Sequence, residues 1–400
     1  MISEHASPLV HDGLPAETQS AMVAGLSAAL ARLGHEVVVY TRRDTPDGPD
    51  QVTVAPGYTV VHVPAGPARQ LNDDELLCCT GEFADFLDSA WEIDPPDVAH
   101  GYLWLSGLAT HLAARAHDVA TVQTFRTLGA VEHRHGVHEA NLEVRLKLET
   151  LVARQASWVV ATSTDELSDL IALGRSRSRS SVIPCGVDVD VFSTEGPIAE
   201  RGARHRLLAV GKILPRNGFD TMIEALPAIP DAEYVIVGGV MDGNFGADPE
   251  VRRLRGLADD LGVSDRVVFV GAVAHTDMPA MLRSADVVTS TPAYESFGLV
   301  SLEAMACGIP VVASAVGGML DTVVDDVTGR LVPPHRPREC AEAVTGILRD
   351  SFRRRSLGLA GRDRACARYT WDRVGADTSR IYDRLAATQD EKRHLATQSA

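Results

Sequence analysis

The sequence predicts two doubly wound α/β domains in succession. Three observations carry this expectation. The 400 residues exceed the usual size of one domain. Short apolar runs rich in β-branched residues alternate with helix-length segments along the chain. That alternation breaks once, at a polar arginine- and serine-rich stretch, and then resumes. The expected division is residues 1–190, residues 191–370, and a segment 371–400 whose helix returns toward the first domain and ends in a polar tail.

In the first half, Ala21 to Leu33 has helical periodicity and stops at Gly34, and Glu36-Val-Val-Val-Tyr-Thr41 reads as a strand. Further strands are expected at Val60–Val63, Asp97–His100, Ala120–Thr124 and Trp158–Thr162. The run Gly174-Arg-Ser-Arg-Ser-Arg-Ser-Ser181 reads as a solvated loop, with anion binding as the lesser alternative. In the second half, strands are expected at Arg206–Gly211, Tyr234–Gly239, Val267–Gly271, Asp286–Ser290 and Pro310–Ser314. These are continuous apolar runs that end in Gly, Ser or Thr, the pattern of parallel strands buried on both faces. Tyr369-Thr-Trp-Asp372 leads into a helix expected to end near Thr388. Met1-Ile2-Ser3 leaves almost no room for a central first strand before the loop Glu4–Pro8, so either that strand is truncated or the chain starts a few residues upstream.

Composition limits the function classes. A net charge of −16 opposes unspecific binding to nucleic acid or to an anionic membrane, both polyanions, and leans toward a neutral or cationic small acceptor. The six cysteines show no metal-ligand spacing and read as reduced thiols. No signal-like segment opens the chain, and no uncharged apolar stretch reaches the roughly 18–20 residues that span a bilayer. A cytoplasmic location is expected.

The segment richest in chemistry is Pro292-Ala-Tyr-Glu-Ser-Phe-Gly-Leu-Val-Ser-Leu-Glu-Ala-Met-Ala306. Glu295 falls in the loop after a strand, Gly298 permits close backbone approach, and Leu299, Leu302 and Met305 mark the helix that follows. A helix N-terminus offers free amides and partial positive charge, which suit phosphate. Glu303 lies on that helix, and a carboxylate can hold a vicinal diol such as ribose. The residues alone support a sugar-phosphate site; a capped helix with two solvated glutamates is the bland alternative. In two facing doubly wound domains such a site is expected in the cleft between them.

This Glu-x7-Glu segment resembles the signature of retaining glycosyltransferase family 4, glycosyl transferases group 1. Cys307–Ser314, Gly317-Gly318, Asp325–Pro333 and Ile183–Phe192 resemble the same family, in order along nearly the whole chain. The resemblance implies a GT-B fold. It also implies a catalytic set of Glu295, His100 and Arg126, with Glu295 on the transferred sugar. Glu303 would hold the donor ribose, and the amides of Phe297, Gly298 and Leu299 would face the diphosphate. Lys212, Arg216 and Asn217 occupy the segment where the family carries Arg and then Lys.

Several positions depart from the family pattern. Lys212 keeps the charge without the bidentate fork of Arg, and Asn217 loses the charge. Glu17-Thr18 stands where the family has Gly-Gly, which puts a carboxylate where a diphosphate belongs. Arg126 stands in place of a His, and adds a cation that would compensate for Asn217 if both face the leaving group. A charge-assisted contact is worth roughly 1.5–3 kcal/mol, so these changes are not neutral.

Other motifs are set aside. His133-Arg-His-Gly-Val-His138 fits no common zinc spacing, and Asp188-Val-Asp190 lies in the interdomain segment. Gly238-Gly239 reads equally as a turn or as a border of the nucleotide. Neither a Walker motif nor a GxGxxG follows any strand. No metal and no cofactor are expected. The leading expectation is retaining transfer of a sugar from a nucleotide-diphosphate sugar to a small polar acceptor. With the acidic balance and the likeness to actinobacterial-type sequences, that acceptor reads as an amino sugar or aminocyclitol, in aminoglycoside antibiotic assembly for example. The alternative is a GT-B auxiliary protein without normal diphosphate-sugar transfer.

Overall fold

A computed structural model describes residues 1–9, 18–55, 57–137, 141–202, 205–239, 245–246 and 248–398, with the backbone alone at Thr18 and 392–398. The chain divides into two compact units. One holds the described residues up to Gly186 together with the described residues from Trp371 onward; the other holds those of Val187–Thr370.

The strands of the first unit are β1 (Val38–Arg42), β2 (Gln51–Val54), β3 (Tyr58–Val63), β4 (Val98–Tyr102), β5 (Ala120–Thr124), β6 (Trp158–Ala161) and β7 (Ser180–Val182). They lie in the orders β2-β3-β1 and β4-β5-β6-β7, parallel except for β2 against β3. Ile2 bridges Tyr40 and Gly101 and so joins the two groups. Ile2 N–H donates to the His100 carbonyl at 2.8 Å, and Tyr102 N–H donates to that of Ile2 at 2.9 Å. Three residues are therefore enough to fill the central slot. The C-terminal helix Trp371–Gln398 packs on helix Thr18–Arg32. The approach is close, for a Cβ on Gly25 would come within 2.3 Å of the Trp371 ring.

In the second unit the strands are β8 (His205–Val210), β9 (Ala232–Val237), β10 (Val267–Gly271), β11 (Val287–Ser290), β12 (Val311–Ser314) and β13 (Gly329–Val332). All are parallel, in the order β10-β9-β8-β11-β12-β13. Leu207, Tyr234, Ile236, Val287 and Val312 meet helix residues such as Met222, Leu254 and Val344 in one core. Each large side chain buried in this way contributes about 1.5–3 kcal/mol. The strand order reverses direction between β8 and β11, which makes the crevice at their carboxyl ends the natural ligand position.

The structure adds three strands to the sequence reading. β2, β7 and β13 are three or four residues long and carry polar residues, so they lack the apolar run that marks a buried strand. The arginine-serine run is also not wholly a solvated loop. Arg175 is 3% exposed, and its guanidinium donates to the carbonyls of Ala153 and Ala156 at 3.0 and 2.6 Å. Ser180 then begins β7. The last helix runs past Thr388 to Gln398, with no Gly or Pro to stop it.

One buried ion pair is specified by register. Arg206 on β8 lies opposite Glu233 on β9, and its Nε donates to the Glu233 carboxylate at 2.7 Å while Nη1 reaches Ser284 Oγ at 3.0 Å. Both side chains are under 10% exposed. Removing one partner leaves an uncompensated buried charge, so Glu233→Ala should cost the second unit about 3–5 kcal/mol. The double variant Arg206→Met with Glu233→Leu should recover most of that loss, as read by chemical denaturation.

Candidate functional site

Two loops leave the carboxyl ends of the neighbouring strands β8 and β11, Gly211–Gly218 and Thr291–Gly298. Gly218 has φ +70°, and a Cβ there would lie 1.8 Å from the Thr291 carbonyl oxygen. Thr291 Oγ1 donates to the Gly218 carbonyl at 2.8 Å, and Ala293 N–H to that of Arg216 at 2.9 Å. Three contacts thus clamp the loops side by side at the switch point.

The second loop is cradled from its other side. Gly318 N–H donates to the Glu295 carbonyl at 2.9 Å, and Thr322 Oγ1 donates to that of Phe297 at 2.9 Å. A Cβ on Gly318 would meet the Ser296 carbonyl at 2.3 Å. Gly298 (φ +86°) then turns the chain into helix Leu299–Ala306. Glu295 Oε1 accepts from the amides of Phe297 and Gly298, both at 3.2 Å. The anion-seeking amides therefore face a carboxylate of their own loop.

Glu303 is 8% exposed, and its carboxyl has no hydrogen bond or ion pair among the described residues. Burial raises its pKa to about 8. A buried carboxyl without a partner is costly unless a ligand supplies one. On the first loop, Lys212 and Arg216 are exposed, and their cationic groups make no internal ion pair among the described residues. Asn217 is engaged otherwise, since its Nδ2 donates to the Lys212 carbonyl at 2.6 Å. That bond closes the turn and takes up one of the donors expected to face the ligand. Glu295, Phe297, Gly298, Leu299, Glu303, Lys212, Arg216 and Asn217 thus belong to one switch point. Sequence reasoning missed the clamp at Gly218 and Thr291 and the supporting Thr322; the left-handed glycine before a helix is the one legible sign.

The first unit corrects one expectation. His100 is 2% exposed, with Nδ1 on Tyr382 Oη at 2.7 Å and Nε2 on Thr124 Oγ1 at 2.8 Å. It stacks on Tyr102, and desolvation, aided by the charge of the N-terminal amine, lowers its pKa to about 3. A neutral ring with both nitrogens engaged in the core holds the sheet to the last helix; this does not fit the catalytic role expected of it. Arg126 follows β5 with φ +65°, a strained conformation for a residue with a side chain, and is half-buried. Desolvation raises the pKa of buried Glu166, opposed by hydrogen bonds from Thr162 and then by the backbone N–H and charge of Arg126. Glu17, the side chain of Thr18 and His138 lie outside the described residues.

Asp188 Oδ1 caps its own turn, accepting from Asp190 and Val191 N–H at 3.0 and 3.1 Å. Gly238 marks the close approach of β8 and β9, since a Cβ would lie 1.9 Å from the Gly211 carbonyl oxygen. Among the described residues no group of three or more His, Cys, Asp or Glu is placed to hold a metal ion. No described helix is long and apolar enough to cross a membrane.

Residues 195–364 match the family model for glycosyl transferases group 1, and residues 18–186 that for the glycosyl transferase 4-like domain. The chain is 36% identical to a D-inositol 3-phosphate glycosyltransferase of Xylanimonas cellulosilytica, over 96% of this chain and 95% of that one. It is 34% identical to D-inositol 3-phosphate glycosyltransferase 2 of Catenulispora acidiphila, over 96% and 94%. Among solved structures, sucrose-phosphate synthase of Thermosynechococcus elongatus superposes with a TM-score of 0.84 at 30% identity, covering 97% of this chain and 98% of that one. HepE of Anabaena, solved with UDP and glucose, superposes at 0.71 and 20% identity, covering 96% and 98%, a likeness of fold.

The desolvated glutamate has a consequence for stability. With a folded pKa near 8 and an unfolded value of 4.5, Glu303 binds more protons folded than unfolded between those limits. Its contribution is complete below pH 4.5 and lost as pH rises through 8. Glu303→Gln should therefore gain in Tm over the parent progressively from pH 5 to 8.5, in parallel melts without nucleotide.

Proposed function

The chain belongs to the glycosyl transferases group 1, family 4, with the GT-B fold, and from that premise we propose that this glycosyltransferase moves a sugar from a nucleotide-diphosphate donor to a small cyclitol-like acceptor with retention at the anomeric carbon. The observation that carries the reading is the buried Glu303, on the helix after one clamped loop, with Lys212 and Arg216 on the other loop, all three without an internal ion pair among the described residues. Glu303 takes the ribose hydroxyls. Lys212, Arg216 and the amides of Phe297, Gly298 and Leu299 take the diphosphate and stabilise the charge it acquires on leaving.

For the amides to serve, the Glu295 carboxylate must leave them. It then has the reach to accept from hydroxyls of the transferred sugar, so one carboxylate serves two states. By analogy with the family, the acceptor hydroxyl attacks from the face the diphosphate leaves, and the departing phosphate oxygen takes its proton. The acceptor belongs to the first unit, with Arg126 as a cation of that half. A ring polyol fits the relatives, which are named for an inositol phosphate. An amino sugar or aminocyclitol, with a place in antibiotic assembly, is the finer form of the same reading; the charge of the chain supports it. The six free cysteines accord with a cytoplasmic location.

The test is transfer itself, with a panel of nucleotide sugars and ring acceptors and the product read by NMR. The anomeric coupling should match that of the donor, and activity should survive chelation of divalent metal. Glu295→Ala should lower kcat about 10²–10³-fold and leave nucleoside diphosphate affinity at least as high as in the parent. An inverted product, or full activity in Glu295→Ala, would count against the proposal.

A further inference from the structure

Within the second unit, helix Ser351–Arg368 presents Arg364 to the end of the four-residue helix Met319–Thr322. The guanidinium forks over two consecutive carbonyls, with Nε donating to that of Thr322 at 3.0 Å and Nη2 to that of Asp321 at 2.7 Å. Tyr369 follows the same helix, and its hydroxyl donates to the Asp321 carbonyl at 3.0 Å. Arg364 also reaches Tyr369, through Nη2 to the hydroxyl at 3.3 Å and with its guanidinium carbon 5.6 Å from the ring centre. The Tyr369 ring in turn meets that of Phe297, with centres 6.3 Å apart, and both residues are buried. A helix end would ordinarily leave such carbonyls to water. Here a planar cationic fork holds two of them, a geometry that Lys cannot reproduce.

The consequence lies in the peptide planes of the neighbouring loop. A peptide unit is planar and trans, so fixing its carbonyl fixes the N–H on its opposite side. Thr322 Oγ1 donates to the Phe297 carbonyl at 2.9 Å. That carbonyl shares its peptide unit with the Gly298 N–H, one of the two amides that the Glu295 carboxylate accepts from at 3.2 Å. Gly318 N–H holds the backbone carbonyl of Glu295 at 2.9 Å. When the carboxylate leaves, the amides lose its hold, while the loop is still fixed by these carbonyls. The aim of the Gly298 N–H then depends on where Thr322 sits. Arg364 and Tyr369 hold Thr322 and its neighbour from behind.

We propose that Arg364 and Tyr369 are positioning residues for the diphosphate: through Asp321, Thr322 and the Phe297 carbonyl they keep the Gly298 amide aimed at the phosphate once Glu295 has left it. The proposal deepens the transferase reading and rests on it for the ligand, not for the brace. Glu303 lies more than one turn into helix Leu299–Ala306, so its hold on the ribose should not pass through this path.

Arg364→Gln, Arg364→Lys and Tyr369→Phe, each in the full chain, test this. Calorimetry gives the affinity for the diphosphates of uridine, guanosine, adenosine and thymidine, and ligand-observed NMR that for the matching nucleosides. For the base that binds, Arg364→Gln should weaken the diphosphate about 10-fold and the nucleoside by less than about 2-fold. Arg364→Lys should recover only part of that loss, because it keeps the charge without the fork. Tyr369→Phe should give a smaller loss of the same kind, about 3-fold. A merely structural role would weaken both ligands together. Hydrogen exchange without ligand supplies a second reading: segment 295–299 should exchange at least about 10-fold faster in Arg364→Gln, and helix Pro337–Arg349 at the parent rate. Equal losses of diphosphate and nucleoside, or parent diphosphate affinity in Arg364→Gln, would overturn the proposal. If no nucleotide binds the parent, the transferase reading falls and exchange alone decides: a faster rate at 295–299 upholds the brace, and an unchanged rate overturns it.

Discussion

The second unit depends on one close approach, that of the left-handed Gly218 to the Thr291 carbonyl. A Cβ would lie 1.8 Å from that oxygen, so no other residue permits the contact without moving a loop. Because β8 and β11 are neighbours where the sheet reverses its order, fastening their loops together holds the segment of Lys212 and Arg216 alongside the loop of Glu295, which leads into the helix that carries Glu303. Gly318 and Thr322 brace the same loop from behind. The orientation of the amides at the start of helix Leu299–Ala306 follows from these backbone contacts.

On that frame the electrostatics are unresolved in a way a ligand can resolve. Lys212 and Arg216 have no internal anion among the described residues, Glu303 is desolvated without a donor, and the amides of Phe297 and Gly298 are held at 3.2 Å by Glu295. A diphosphate matches the cations and amides, and a ribose diol matches the buried carboxyl. Each feature alone has a mundane explanation. Their convergence at one switch point is what a ligand would use, because the buried acid lacks a partner among the described residues and the exposed cations of the neighbouring loop are free of internal ion pairs there.

Much of this was legible in the sequence. The strands that build both sheets are apolar runs ending in turn residues, and the Glu-x7-Glu segment sits where its spacing implied. What escaped was whatever depends on distant partners. β2, β7 and β13 are short and polar, and gain their identity from the neighbours they pair with. Arg175 sits in a run that reads as solvated, yet carbonyls about 20 residues earlier draw it inside. The apolar run ends at His100 in the sequence, whereas in the structure β4 continues to Tyr102 and His100 lies in mid-strand. Its cover is Tyr382, 282 residues later in the chain. No local pattern could have shown that. The departures at Lys212 and Asn217 were visible, but the use of Asn217 to close its own turn was not.

The central claim is that the second unit binds a nucleoside diphosphate through Glu303 and the clamped loops. Calorimetric titration of the full chain with a panel of nucleoside diphosphates, with Glu303→Ala alongside, tests it most directly. The account predicts saturable binding of one nucleotide at one site per chain, weakened about 10-fold or more in the variant. No binding across the panel, or binding indifferent to Glu303→Ala, would contradict it.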